Sequence, residues 1–124
     1  MGAKVFIIDD EVEFSTTLAE RLTLRDYEAV AITSLDNVRK LVCDEQPDVV
    51  LLDLRMPGVD GLELLKDIKK NDPSTQIIVI TGQTDPKFVS EALNAGAYDY
   101  LTKPADIVLL MRKIDEITAA PESR

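Results

Sequence analysis

Histidine is absent from this 124-residue chain, and cysteine occurs once, as Cys43. Without histidine there is no Ser-His-Asp or Cys-His triad, no His-rich metal site and no phosphohistidine carried by the chain itself. A single cysteine excludes an internal disulfide, and its place in a helical stretch reads as small core filler. No apolar run approaches the roughly 20 residues that cross a bilayer. The N-terminus also lacks the charged, then apolar, then small-residue layout of a signal peptide. The cytoplasm is therefore the expected location, with no membrane partner. Basic residues are scarce: 14 Lys and Arg stand against 23 Asp and Glu, for a net charge of −9. Nucleic-acid binding depends on cations that neutralise phosphates, so direct contact with DNA is not expected. An acidic balance otherwise signifies little beyond solubility.

What is present suits one domain of this length, large enough to build a core without staples. Short β-branched runs alternate with longer amphipathic stretches. Strands are predicted at Lys4–Asp9, Glu28–Thr33, Asp48–Asp53, Gln76–Thr81 and Ala97–Thr102. The third is apolar throughout, as expected for a strand covered on both faces. The fifth is shorter and more polar, which suits an edge. Phe14, Leu18 and Leu22 share one face of a first helix. Ser34 is a candidate N-cap for a second helix. A third helix lies near Leu62–Lys70. Asp85-Pro86 supplies a cap and first-turn proline for a fourth, which stops at Asn94-Ala95-Gly96. The fifth runs from about Asp106 to Thr118. Strict alternation of five strands and five helices predicts an α/β fold with a parallel sheet and right-handed crossovers. Residues 1–118 are expected to form the domain, with 119–124 a frayed end or the start of a linker.

In such sheets ligands bind beyond the carboxyl ends of the strands. Strand one ends in Asp9-Asp10, strand three in Asp53 and strand four in Thr81, while Lys103 follows strand five. Taken singly, each has an ordinary reading. Asp9 or Asp10 could cap the first helix, Asp53 could cap its loop, Thr81 could be a simple strand residue and Lys103 a solvated lysine. Together they place three carboxylates, a hydroxyl and an ammonium on one edge. Clustered carboxylates repel unless a cation intervenes, and an oxygen-only ligand set favours a hard ion such as Mg²⁺. A phosphoryl group suits the remaining positions, with Asp53 as the nucleophile and Lys103 and Thr81 on the phosphoryl oxygens.

These residues also spell out a family. Ile8-Asp9-Asp10-Glu11, Leu52-Asp53-Leu54-Arg55-Met56-Pro57-Gly58 with Asp60-Gly61, Ile80-Thr81-Gly82 and Lys103-Pro104 are each weak motifs, but their combination and spacing are highly specific. Over nearly its whole length the chain resembles the receiver domain of bacterial two-component response regulators. The resemblance implies a flavodoxin-like, doubly wound (βα)5 fold with strand order 2-1-3-4-5. It implies that Asp53 takes a phosphoryl group from the phosphohistidine of a sensor kinase. Asp10 would then hold Mg²⁺ directly and Asp9 through water, with the Arg55 backbone carbonyl as a further ligand. Lys103 would pair with the phosphoryl group, and the Lys103-Pro104 bond would be cis. Thr81 would move toward the phosphoryl oxygen and Tyr100 would turn inward with it. The expected role is a phosphoacceptor switch that assists its own phosphoryl transfer, not an enzyme acting on other substrates. Self-association through helix four, strand five and helix five is a further expectation. The Gly96–Leu101 stretch is similar to receivers attached to enhancer-binding transcription activators, so the chain reads as a lone receiver or the front of a longer regulator.

Some positions depart from the family pattern. Asp26 stands where glycine is common, which calls for an Asp in a left-handed conformation. Ala105 replaces a frequent large apolar residue. Arg55 and Gln83 occupy variable positions beside the site. Gly82 would keep space open for the phosphoryl group, or would simply begin a loop. Competing functions fit less well. A haloacid-dehalogenase-type phosphatase needs a second Asp where Arg55 stands. A nucleotide- or flavin-binding domain would want a glycine-rich turn after strand one, where Asp9-Asp10-Glu11 would repel phosphate. A docking platform without chemistry would not need every chemical position filled.

Overall fold

The computed structural model describes residues 2–82 and 86–119. The strands are β1 (Lys4–Ile8), β2 (Glu28–Ile32), β3 (Val49–Leu52), β4 (Gln76–Thr81) and β5 (Asp99–Thr102). The helices are α1 (Val12–Thr23), α2 (Val38–Glu45), α3 (Gly61–Asn71), α4 (Pro86–Asn94) and α5 (Ile107–Ala119). All four strand pairings are parallel, in the order β2-β1-β3-β4-β5, so the flavodoxin-like order implied by the resemblance is observed. β5 lies at an edge, as its polarity suggested.

Alternation along the strands divides the core in two. Phe6, Ile8, Val50, Leu52, Ile77 and Val79 face one side, where Val38 and Val42 of α2 and Leu64, Leu65 and Ile68 of α3 cover them. Val5, Ile7, Val49, Leu51, Ile78 and Ile80 face the other, beneath Leu18 and Leu22 of α1 and Leu110 and Ile114 of α5. Each fully buried Leu or Ile contributes roughly 1.5–3 kcal/mol relative to exposure. The helices do not share the load equally. α3 and α5 each seat four buried residues, whereas α4 seats only Ala92.

Local chemistry explains the joins. Asp60 caps α3, its carboxylate accepting the Glu63 N–H at 3.1 Å. Gly61 follows because a side-chain carbon there would lie 2.6 Å from Leu54 Cα and 2.7 Å from the Leu54 carbonyl oxygen. The first turn of α3 can therefore press directly on the segment that follows Asp53. Asp26 has φ 70°, the left-handed geometry expected where the family commonly has glycine.

Some expectations need correction, among them the start of β5, which is Asp99 and not Ala97. Ser34 does not cap α2: the chain runs on without regular structure to Asn37, whose φ of 62° precedes a helix starting at Val38. Cys43 is exposed, not core filler. α2 turns Val38 and Val42 inward, a four-residue spacing that leaves the next position facing water. The proposed Asp85 cap and Gln83 lie outside the described residues, as do positions 120–124 of the tail.

Candidate functional site

Backbone hydrogen bonds carry the sheet one step past its strands and bring the acidic residues together. The Asp53 N–H donates to the Ile8 carbonyl at 3.0 Å, and the Lys103 N–H donates to the Thr81 carbonyl at 2.9 Å. Ile8 is in register with Leu52, so Asp9 and Asp53 leave adjacent strands side by side. Thr81 ends β4 beside Thr102 of β5, the residue before Lys103. All the candidate chemical residues thus meet at the carboxyl edge. The Lys103-Pro104 bond is cis, as the resemblance implied.

Asp9 and Asp53 are only 2% and 4% exposed. Both carboxylates are held in place by nearby peptides: Asp9 Oδ1 accepts the Glu11 N–H at 2.9 Å, and Asp53 Oδ1 accepts the Arg55 N–H at 2.8 Å. Their other oxygens share one cation, the Lys103 ammonium, at 2.9 Å from Asp9 Oδ2 and 3.0 Å from Asp53 Oδ2. Burial pushes the Asp9 carboxyl above its usual range, against the opposing pull of Lys103 and the Glu11 N–H. Burial alone would lower the Lys103 pKa, but the hydrogen bonds that its ammonium donates to Asp9, Glu11 and Asp53 outweigh it and raise the pKa, so the lysine stays charged.

Asp10 is exposed, yet Asp9, Asp10 and Asp53 each offer a carboxylate oxygen within 4.8 Å of the others. Carboxylate oxygens at this spacing suit a hard divalent cation. The position of the Lys103 ammonium, against two of the three carboxylates, shows that the spot attracts positive charge. Arg55 borders the site through its peptide, while its guanidinium lies 5.1 Å from the centre of the Phe88 ring on α4. Thr81 is buried at the end of β4. Tyr100 is 38% exposed and lines a shallow groove with Pro86, Val89, Ser90 and Leu93, so it faces outward here. A side-chain carbon on Gly82 would meet nothing within 4 Å among the described residues.

In the sequence Glu11 is one member of the Ile8–Glu11 motif and nothing more. The structure places its carboxylate 2.6 Å from the Lys103 ammonium, closer than either aspartate. Phe14, expected only to pack, also has its ring centre 4.7 Å from that ammonium. Three consecutive acidic residues gave no signal as to which would reach the lysine.

Residues 5–115 match the response regulator receiver domain family. The chain is 32% identical over 107 residues to sporulation initiation phosphotransferase F of Bacillus subtilis, covering 86% of each protein. It is 38% identical over 104 residues to the C4-dicarboxylate transport transcriptional regulatory protein DctD of Pseudomonas aeruginosa, covering 82% of this chain but 22% of that regulator. The chain thus spans about a fifth of the length of such transcriptional relatives. Among solved structures, a CheY-like response regulator receiver domain protein from Methanospirillum hungatei superposes with a TM-score of 0.90 at 25% identity, covering both chains fully. A Burkholderia pseudomallei response regulator, solved with a phosphorylated aspartic acid and a calcium ion, gives 0.83 at 27% identity, covering 96% of this chain and 71% of that one. The match across nearly all of the chain, on a site with this geometry, shows that it belongs to the response regulator receiver domain family, the signalling switches of two-component systems.

Proposed function

We propose that Asp53 is the phosphoacceptor of this switch, served by a sensor histidine kinase in the cytoplasm. One observation carries the reading: two buried aspartates share a single lysine at the carboxyl edge of the sheet, with a third carboxylate within reach. That arrangement is short of positive charge, as a site awaiting a divalent cation and an anionic group should be. Asp9, Asp10 and Asp53 would hold Mg²⁺ together with the Arg55 backbone carbonyl. When bound, the ion would neutralise the carboxylates and polarise the incoming phosphoryl group.

The protein supplies the rest. A carboxylate oxygen of Asp53 forms the new P–O bond as the P–N bond of phosphohistidine breaks, and the departing imidazole keeps the electron pair. The Arg55 N–H fixes the Asp53 carboxylate through Oδ1 during this step. Lys103 exchanges Asp53 Oδ2 for a phosphoryl oxygen and stabilises the charge there. Thr81, at the end of β4, donates its hydroxyl to another phosphoryl oxygen, and Tyr100 leaves its exposed groove as Thr81 moves. In this way the domain assists its own phosphorylation. The corresponding features in relatives support the assignment: the Burkholderia pseudomallei structure carries a phosphorylated aspartic acid with calcium.

Incubation with acetyl phosphate and Mg²⁺ should add one phosphoryl group to the intact mass, and EDTA should prevent it. Peptide mapping should place the group on Asp53. Uptake that ignores EDTA, or that maps elsewhere, would sink this reading.

The output surface is α4–β5–α5, where Leu93, Tyr98, Tyr100 and Val108 are exposed large hydrophobics. Leu93 and Tyr100 line one groove with Pro86 and Val89, and exposed apolar side chains brought together in this way suit a partner or a second copy of the chain. Phosphorylation should shift the protein toward dimers in a sizing column, and an unchanged elution volume would remove self-association from the proposal. Full-length relatives such as DctD pair their matching portion with much additional chain, so this domain serves either alone or at the front of a transcriptional regulator.

A further inference from the structure

Lys103 has one carboxylate more than the phosphoryl transfer requires. Asp9 and Asp53 are buried and fixed, whereas the Glu11 side chain is 61% exposed and still makes the shortest contact, 2.6 Å to the ammonium. The Glu11 backbone is pinned on both sides. Its N–H donates to Asp9 Oδ1 at 2.9 Å, and its carbonyl accepts the Ser15 N–H and the Ser15 hydroxyl, each at 3.0 Å. The peptide is held while the carboxylate can swing in water. Phe14, on the first turn of α1, adds a ring at 4.7 Å from the same ammonium, within range of a cation–π attraction. Glu11 stands at the N-cap of α1 and Phe14 in its first turn, so both hold the ammonium from the α1 side while it stays within 3.0 Å of Asp9 and Asp53.

We propose that Glu11 is a positioning residue for Lys103, a mobile latch that shares the ammonium with Asp9 and Asp53 between phosphorylation events. The inference rests on the reading of Asp53 as phosphoacceptor. While Glu11 holds part of the lysine's hydrogen bonding, Asp9 and Asp53 are less fully neutralised and keep their attraction for a divalent cation. Once a phosphoryl group arrives, Glu11 competes with its oxygens for the same ammonium, and its charge also repels an anionic donor.

These two effects have opposite signs in one variant. Glu11→Gln keeps the length and removes the charge. Lys103 then settles more firmly on the aspartates and a negative charge leaves the cation site, so Mg²⁺ should bind more weakly. At saturating Mg²⁺ the same variant should take up phosphoryl groups faster, because the ion then neutralises the aspartates and no Glu11 charge competes with the phosphoryl oxygens for the lysine. An exposed ion pair supports effects of about two- to fivefold in each quantity.

The experiment compares wild type and Glu11→Gln by calorimetric titration with Mg²⁺ and by the initial rate of phosphorylation from acetyl phosphate at saturating Mg²⁺. Weaker binding together with a faster rate supports the latch. Losses in both would mark a structural role, and no change in either would mark a bystander; both overturn it. If the wild type itself takes up no phosphoryl group, the assignment of Asp53 fails and the latch with it. If the wild type is phosphorylated and the opposed pair is missing, the latch alone falls.

Discussion

Asp53→Asn is expected to take up no phosphoryl group and, in EDTA, to be more stable than the wild type by about 0.5–2 kcal/mol. The first half follows from the role proposed for Asp53 as nucleophile. The second follows from crowding. Asp9, Asp10, Glu11 and Asp53 bring four carboxylates to one edge, where Lys103 is the cation that three of them share. Like charges this close destabilise the folded state. An asparagine keeps the acceptor oxygen that the Arg55 N–H needs. It also leaves Lys103 with Asp9 and Glu11, so no buried cation is orphaned. Intact mass and urea unfolding in EDTA check the two halves. A variant less stable than the wild type would show that packing around residue 53 outweighs charge.

Lys103→Met should move stability the other way, by a loss of about 2–3 kcal/mol in EDTA. Removing one partner of a fully enclosed ion pair costs about 3–5 kcal/mol because the remaining charge is left without compensation. The lower figure applies here because the site opens to water at Asp10 and Glu11. Mg²⁺ should restore much of the loss by taking over the lysine's neutralising role. Phosphoryl uptake should fall about a hundredfold, the usual consequence of losing one well-placed donor to a developing oxyanion. Both substitutions delete one member of the same contact, yet their effects on stability have opposite signs. A simple sum over salt bridges would make both destabilising. Unfolding curves that fall together would therefore favour the pairwise account over charge crowding.

Much of this was legible in the sequence because period and composition agreed at each step. The apolar run Val49–Leu52 announced a strand covered on both faces, and Val5 to Ile8 behave likewise. The ends of the strands then located Asp9, Asp53, Thr81 and Lys103 without any side-chain geometry. The errors have physical causes. Ser34 carries good capping chemistry, but an N-cap works only where the chain begins to coil, and Asn37 postpones that point through a left-handed residue. Cys43 was judged by residue type, when the inward pair Val38 and Val42 already fixed the orientation of α2. β5 starts at Asp99 and not at Ala97, because Ala97 is buried by packing in the core without joining the ladder. Glu11 was passed over because adjacent carboxylates differ only in the direction they face. The close contact of Gly61 with Leu54 was also invisible, since it joins two segments across a loop.

The uneven anchoring of the helices bears on where such a switch can move. α4 commits one buried residue to the core, whereas α3 and α5 commit four each. Local opening follows the least apolar burial, so α4 is the helix that can shift while the rest of the domain stays intact. It is also the helix whose Phe88 lies under the guanidinium of Arg55, two residues from Asp53. The described helix with the fewest buried residues is thereby in contact with Arg55, whose peptide N–H holds the Asp53 carboxylate. A small electrostatic event can be turned into a change of shape at that helix without loosening the layers that keep the molecule folded.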